Sequence, residues 1–176
     1  MLTAPVPALW NTAAMLEGES WDIAIIPRVA PVVDLTDVPT GDYRAVVVPG
    51  DAAEHAQTAV GKLGLPPDLA DDIAGLAESF LGYFGIGAAN LRVEVVDRTS
   101  CPKFHCDTLN VRMITTYTGP TTQYIFRDNP DQIHDAPLGA LVFLKGHTHP
   151  QFKDKVHHRS PPVSSGQKRL CVVLDY

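Results

Sequence analysis

His105 and Asp107 are separated by one residue in the run Cys101-Pro102-Lys103-Phe104-His105-Cys106-Asp107. On an extended strand, side chains two apart project to the same face, so an imidazole nitrogen and a carboxylate oxygen would stand side by side, with Cys106 turned away. These are two of the three donors of a 2-His-1-carboxylate facial triad, which leaves three adjacent positions open on an octahedral Fe(II). The third donor must then come from a strand much later in the chain. Two adjacent candidates, His157 and His158, stand in Val156-His157-His158-Arg159-Ser160-Pro161-Pro162. Only one of them can point inward if this stretch is extended. An isolated His-x-Asp also suits a surface pair or a hydrogen-bonded core histidine.

Two further features bear on the metal reading. Arg169 opens the apolar run Leu170-Cys171-Val172-Val173-Leu174, eleven positions after His158. A guanidinium there could pair bidentately with a dicarboxylate held beside the metal, or more plainly with an acidic residue such as Asp175. The run from Asn110 to Tyr117 follows the His-x-Asp directly as a strand, so Thr116 or Tyr117 could reach a bound cosubstrate. Arg112, on the same strand, is expected as a structural ion-pair partner.

His105-Cys106-Asp107, the following strand with Arg112, then His158 and Arg169, resemble in their order the double-stranded β-helix of Fe(II)/2-oxoglutarate-dependent oxygenases. That resemblance implies that His105, Asp107 and His158 bind iron and that Arg169 binds the distal carboxylate of 2-oxoglutarate. More closely, KFHCDTLNVRMITTYTGPTTQYI and the later HHRSPPVSSGQKRLCVVLDY resemble a bacterial family catalogued as domain of unknown function 1826. That likeness covers about residues 90 to 176 strongly and the N-terminal half loosely. His158 is preferred over His157 because it directly precedes Arg159-Ser160-Pro161, which carries the likeness. The family name supplies no activity. The resemblance also implies a second reading, a non-enzymatic zinc-binding protein of the same fold linked to metal homeostasis.

Other donors remain outside the pattern. His147-Thr148-His149 is a departure from it, although on a strand both imidazoles would share a face and could chelate a metal. Cys101 with His105 and a later histidine would be acceptable zinc chemistry. A nucleophilic Cys106 paired with a distant histidine is a further alternative. No Gly-x-Ser-x-Gly elbow and no Gly-rich phosphate loop is present, which disfavours serine-hydrolase and nucleotide chemistry.

Several elements must position these residues. Asp22 to Ile26 suits a short edge strand stopped by Pro27, and Arg44 to Val48 a strand ended by Pro49-Gly50. A helix is expected from an Asp51 cap to about Lys62, and a second from Asp68 to about Tyr83. In the second, Leu69, Ile73, Leu76 and Phe80 fall on one apolar face, and three aspartates crowd the first turn. Strands are then expected at Leu91 to Val96, Asn110 to Thr116, Thr121 to Phe126, Ala140 to Leu144 and Leu170 to Leu174. Lys145 to Lys168 is left as a long polar loop holding four histidines. The fold class is therefore α+β. By the resemblance it is a double-stranded β-helix, jelly-roll or cupin-like, with N-terminal helices packed on one side. A single domain spans 1–176, with a wrapping segment and helices over 1–87 and a β-rich metal-binding core over 88–176.

Composition bounds the rest. The chain has 176 residues, 45% hydrophobic and 19% charged, with a formal net charge of -6. That length buries a core without disulfides, and three cysteines make no disulfide framework. The acidic balance argues against a nucleic-acid partner. No apolar run approaches the roughly 18 residues needed to span a bilayer, and the N-terminus lacks the basic and apolar regions of a signal peptide. A cytoplasmic protein acting on a small-molecule or protein substrate is expected. No residue pattern names that substrate. The oligomeric state is equally unmarked, although the N-terminal edge strand could pair in a dimer.

Overall fold

The computed structural model describes residues 21–176. Among them run two helices, α1 (Ala52–Leu63) and α2 (Leu69–Phe84), and nine strands. The strands are β1 (Ile23–Ile26), β2 (Gly41–Val47), β3 (Ala89–Val96), β4 (Val111–Thr118), β5 (Gln123–Phe126), β6 (Asn129–Asp135), β7 (Leu141–Lys145), β8 (Val156–Arg159) and β9 (Arg169–Asp175). Both helices start where acidic residues favour the macrodipole, with Glu54 in the first turn of α1 and Asp71 and Asp72 in that of α2. Asp51 stands at the start of α1, but its carboxylate accepts from the preceding Val48 N–H at 2.8 Å rather than from the helix.

Six strands form one antiparallel sheet in the order β1-β7-β4-β9-β3-β2, and three form a second in the order β6-β5-β8. From β3 onward the chain passes back and forth between the sheets. The short segment at His105 extends the small sheet by a bridge to His158 on β8. This alternating path makes the fold a double-stranded β-helix, with β1 and β2 lengthening its larger sheet at either edge.

The middle of the larger sheet is covered on both faces, so β7 and β9 are buried nearly throughout, while the edge strand β2 alternates between exposed and half-buried positions. On the outer face, Leu69, Ile73, Leu76 and Phe80 of α2 are fully buried against Val93, Met113, Phe143, Leu170, Val172 and Leu174. Between the sheets a smaller cluster joins Ile114, Val142, Leu144, Val156 and Val173. The period of two along β9 therefore splits the strand cleanly. Leu170, Val172 and Leu174 meet the helices, while Arg169, Cys171 and Val173 face the cavity between the sheets.

Two elements differ from the sequence expectation. β6 is polar and almost wholly exposed, an edge strand whose hydrophobicity carries no signal. β8 lies inside the segment read as a loop. Its four residues are held by pairing with β5 and by the bridge to His105, both of which are long-range contacts.

Candidate metal centre

The site begins with a backbone bridge. His105 N–H donates to His158 O and His158 N–H donates to His105 O, each at 3.0 Å, which sets the two histidines directly opposite one another. Their rings lie 4.6 Å apart. Asp107, two residues on, brings Oδ1 to 3.4 Å from His105 Nε2 and Oδ2 to 3.0 Å from His158 Nε2. All three ligand atoms lie within 4.8 Å of one another. The ring nitrogen His105 Nδ1 is 2.8 Å from Lys103 O, so Nδ1 carries the proton and donates it, leaving the Nε2 lone pair free to bind.

Electrostatics favour the ligating form of Asp107 and His158. Burial pushes the Asp107 carboxyl up, but hydrogen bonding to His158 and the neighbouring Arg112 charge hold it well below the usual carboxylate range. His158, only 5% exposed, is lowered by burial against the opposing pull of Asp107. Arg112 Nη1 stands 2.7 Å from Asp107 Oδ2, and its other nitrogens hold Asp175 Oδ2 at 3.1 and 2.7 Å. Asp107 Oδ2 is buried, held between the Arg112 guanidinium and the His158 ring nitrogen. The N,N,O donor set, its ligand atoms gathered around a buried carboxylate oxygen, fits a divalent metal of the Fe(II) or Zn class.

A close backbone approach fixes Asp107. A Cβ on Gly146 would fall 2.2 Å from Leu109 O and 2.7 Å from Asp107 O, so no side chain fits there. His147 N–H then donates to Asp107 O at 2.8 Å, tying the end of β7 to the ligand segment.

The triad opens into a cavity of about 280 Å³ between the sheets. Arg169, 4% exposed, lines it; Nε donates to Pro120 O at 2.9 Å, and Nη2 to Thr122 Oγ1 at 3.1 Å and Thr116 Oγ1 at 3.3 Å. No carboxylate pairs with it among the described residues. Asp175, the acidic partner anticipated from the sequence, pairs with Arg112 instead. Thr116 touches the Arg169 guanidinium without lining the cavity. Tyr117 cannot contact anything there. It points to the helix face, where its hydroxyl donates to Asp72 Oδ2 at 2.5 Å beneath the Arg28 guanidinium. Period-two alternation separates it from Thr116, which corrects its assignment to a cosubstrate.

Of the adjacent pair, His158 faces inward and His157 outward, where it meets Asp154 at 3.0 Å. His147 packs on Phe152, and His149 Nδ1 accepts from Gln151 N–H at 3.1 Å, so these two imidazoles are engaged separately. Neither joins a ligand cluster among the described residues. Burial, then the charges of Asp154, Asp22 and Asp107, push the Cys106 thiol up to about 11, which removes it as a ready nucleophile. Cys101 lines the cavity, its Sγ 3.6 Å from His105 Nδ1 and 4.0 Å from Nε2. The sequence reading missed Arg92, Thr122 and Arg159 as lining residues. Thr122 looks like any strand residue, and only the folding of one sheet over the other brings it to Arg169.

The family described as "Protein of unknown function (DUF1826)" matches residues 40–175. No curated protein matches. Among solved structures, a Pseudomonas putida prolyl-4-hydroxylase is 16% identical, with 97% of each chain covered and a TM-score of 0.48. AtDAO1, the dioxygenase for auxin oxidation 1 from Arabidopsis thaliana, is 10% identical with a TM-score of 0.47, over 83% of this chain and 65% of that one. A viral collagen prolyl hydroxylase from Paramecium Bursaria Chlorella virus-1 is 15% identical with a TM-score of 0.42, over 76% and 78%. The chain thus spans about two thirds of the Arabidopsis protein and nearly all of the Pseudomonas one.

Proposed function

The chain belongs to the DUF1826 family, and we propose that it is an Fe(II)/2-oxoglutarate-dependent oxygenase in which His105, Asp107 and His158 hold the iron. One observation carries this reading. The three-donor cluster shares a cavity with a buried arginine that has no carboxylate partner among the described residues. When bound, the metal and 2-oxoglutarate supply the oxidative chemistry. The residues of the chain supply the rest. Lys103 O keeps the His105 proton on Nδ1, Arg112 orients Asp107, and Thr116, Thr122 and Pro120 O hold the Arg169 guanidinium toward the cavity for the distal carboxylate.

The cavity also favours a substrate bearing an anionic group. Arg159 lines it beside Arg169, whereas Arg92 is paired with Glu94, which lines the cavity as well, at 3.3 Å. Arg159 meets neutral partners, Gln123 Oε1 at 2.9 Å, Pro102 O at 3.4 Å and the Phe104 ring at 4.3 Å.

An anaerobic titration of metal-stripped protein with Fe(II) and 2-oxoglutarate tests the reading. A weak visible charge-transfer band is expected, absent in Asp107→Ala. Arg169→Met should weaken 2-oxoglutarate roughly ten- to a hundredfold, the loss of a charge-assisted pair, with metal affinity kept. No band with wild-type protein would sink the assignment, and unchanged cosubstrate affinity would remove Arg169 from it.

A second reading is favoured by Cys101, a soft donor against His105. Zinc held through the same histidines and Asp107, without enzymatic turnover, predicts tight zinc and no coupled consumption of oxygen and 2-oxoglutarate. Cytoplasmic residence belongs with either proposal. Among the described residues no helix is long and apolar enough to cross a membrane.

A further inference from the structure

Each inner ligand has a neighbour in sequence that strand alternation turns to the opposite side. Cys106 lies between His105 and Asp107, and His157 precedes His158. On that outer side the two meet Asp154, and the ligand atoms of Cys106, Asp154 and His157 lie within 4.8 Å of one another. His157 Nε2 is 3.0 Å from Asp154 Oδ1. Cys106 Sγ rests 3.2 Å from Val156 O. Asp154 has φ +56, an unusual backbone state for a residue with a side chain.

We propose that Cys106, Asp154 and His157 form a second metal site, distinct from the inner triad, that takes a zinc-class divalent ion. A thiolate, an imidazole and a carboxylate are the donors this class prefers, and three of them leave a fourth tetrahedral position for water. The hard N,N,O triad inside and the sulfur-bearing set outside would therefore select different ions from one mixture. Coordination replaces the Cys106 S–H bond with a sulfur–metal bond, and the proton leaves to solvent.

The outer partners suit a ligating carboxylate. Arg127 Nη1 pairs with Asp154 Oδ2, leaving Oδ1 for the ion, which is the outer support that metal-bound carboxylates usually have. Arg127 Nη1 also stands 3.5 Å from His157 Nε2 and must withdraw from it when the ion enters. Its side chain is 49% exposed, so it can do so into water while keeping Oδ2.

Cobalt(II) titration of the metal-stripped full chain reads the two sites separately. Wild-type protein should take two ions and develop an intense near-ultraviolet sulfur-to-cobalt band. Cys106→Ser should lose the band and one ion, and His157→Ala should do the same by a route that leaves the thiol in place. Asp107→Ala should lose the other ion and keep the band. Circular dichroism of each variant confirms its fold. Absence of the band in the wild-type protein, or a band that survives Cys106→Ser, would overturn the proposal. Failure of the inner site to bind iron would leave the Cys106 band in place, so the two readings fail independently.

Discussion

At the residue scale, the site depends on groups kept deprotonated in a place where water cannot screen them. His158 is buried and its pKa is lowered, so the folded chain binds fewer protons than the unfolded one once the pH falls below about 6.5. The associated stability is present in full above that value and is lost as the pH drops. Asp107, held below the usual carboxylate range, extends the loss below about pH 3.9. Urea unfolding of the metal-free protein should therefore show a falling midpoint between pH 7 and 5. His149 is lowered as well and acts in the same direction, so the informative comparison is with His158→Gln. That variant should show a shallower decline over the same window, and an unchanged slope would acquit His158.

At the scale of elements, β8 and β9 place the decisive side chains by period two alone. Val156 and His158 turn inward from β8, and Arg169, Cys171 and Val173 from β9, while the residues between them serve the other face. The joint between β7 and the ligand segment is equally strict. Gly146→Ala would drive a methyl into the carbonyls of Leu109 and Asp107, and since both are backbone, the segment must shift. A stability loss of about 1–3 kcal/mol is expected from such overpacking, with weakened metal binding because Asp107 moves with its carbonyl. Isothermal titration beside urea unfolding separates the two effects. Wild-type metal affinity in a destabilised Gly146→Ala would show that the triad does not rely on this contact.

At the scale of the molecule, stability and chemistry sit on opposite faces of one sheet. The helices bury Phe80, Ile73 and Leu76 against the outer face, and the cavity occupies the inner one. Truncating Phe80 to Ala should cost about 3–5 kcal/mol, as large core deletions do, while metal stoichiometry at low temperature stays that of the wild type. Denaturant unfolding and metal analysis of the same preparation test this together. Loss of metal in the still-folded variant would mean that helix packing and site geometry are coupled through the sheet.

Much of this was legible in local pattern. The spacing of His105 and Asp107 marks one shared face, the four apolar positions of α2 mark one buried stripe, and Arg169 stands where an apolar strand begins, because side-chain direction along a helix or strand follows from its period. Tyr117 shows the limit: the same period that brings Thr116 to Arg169 sends Tyr117 to the helices, and nothing in the run of β4 says which face is which. Long-range pairing decided that, as it turned His158 rather than His157 toward the cavity and formed β8 within an apparent loop. The meeting of Cys106, Asp154 and His157 has the same origin. Local periodicity tells which residues share a face; only the closing of one sheet over another determines what that face encloses.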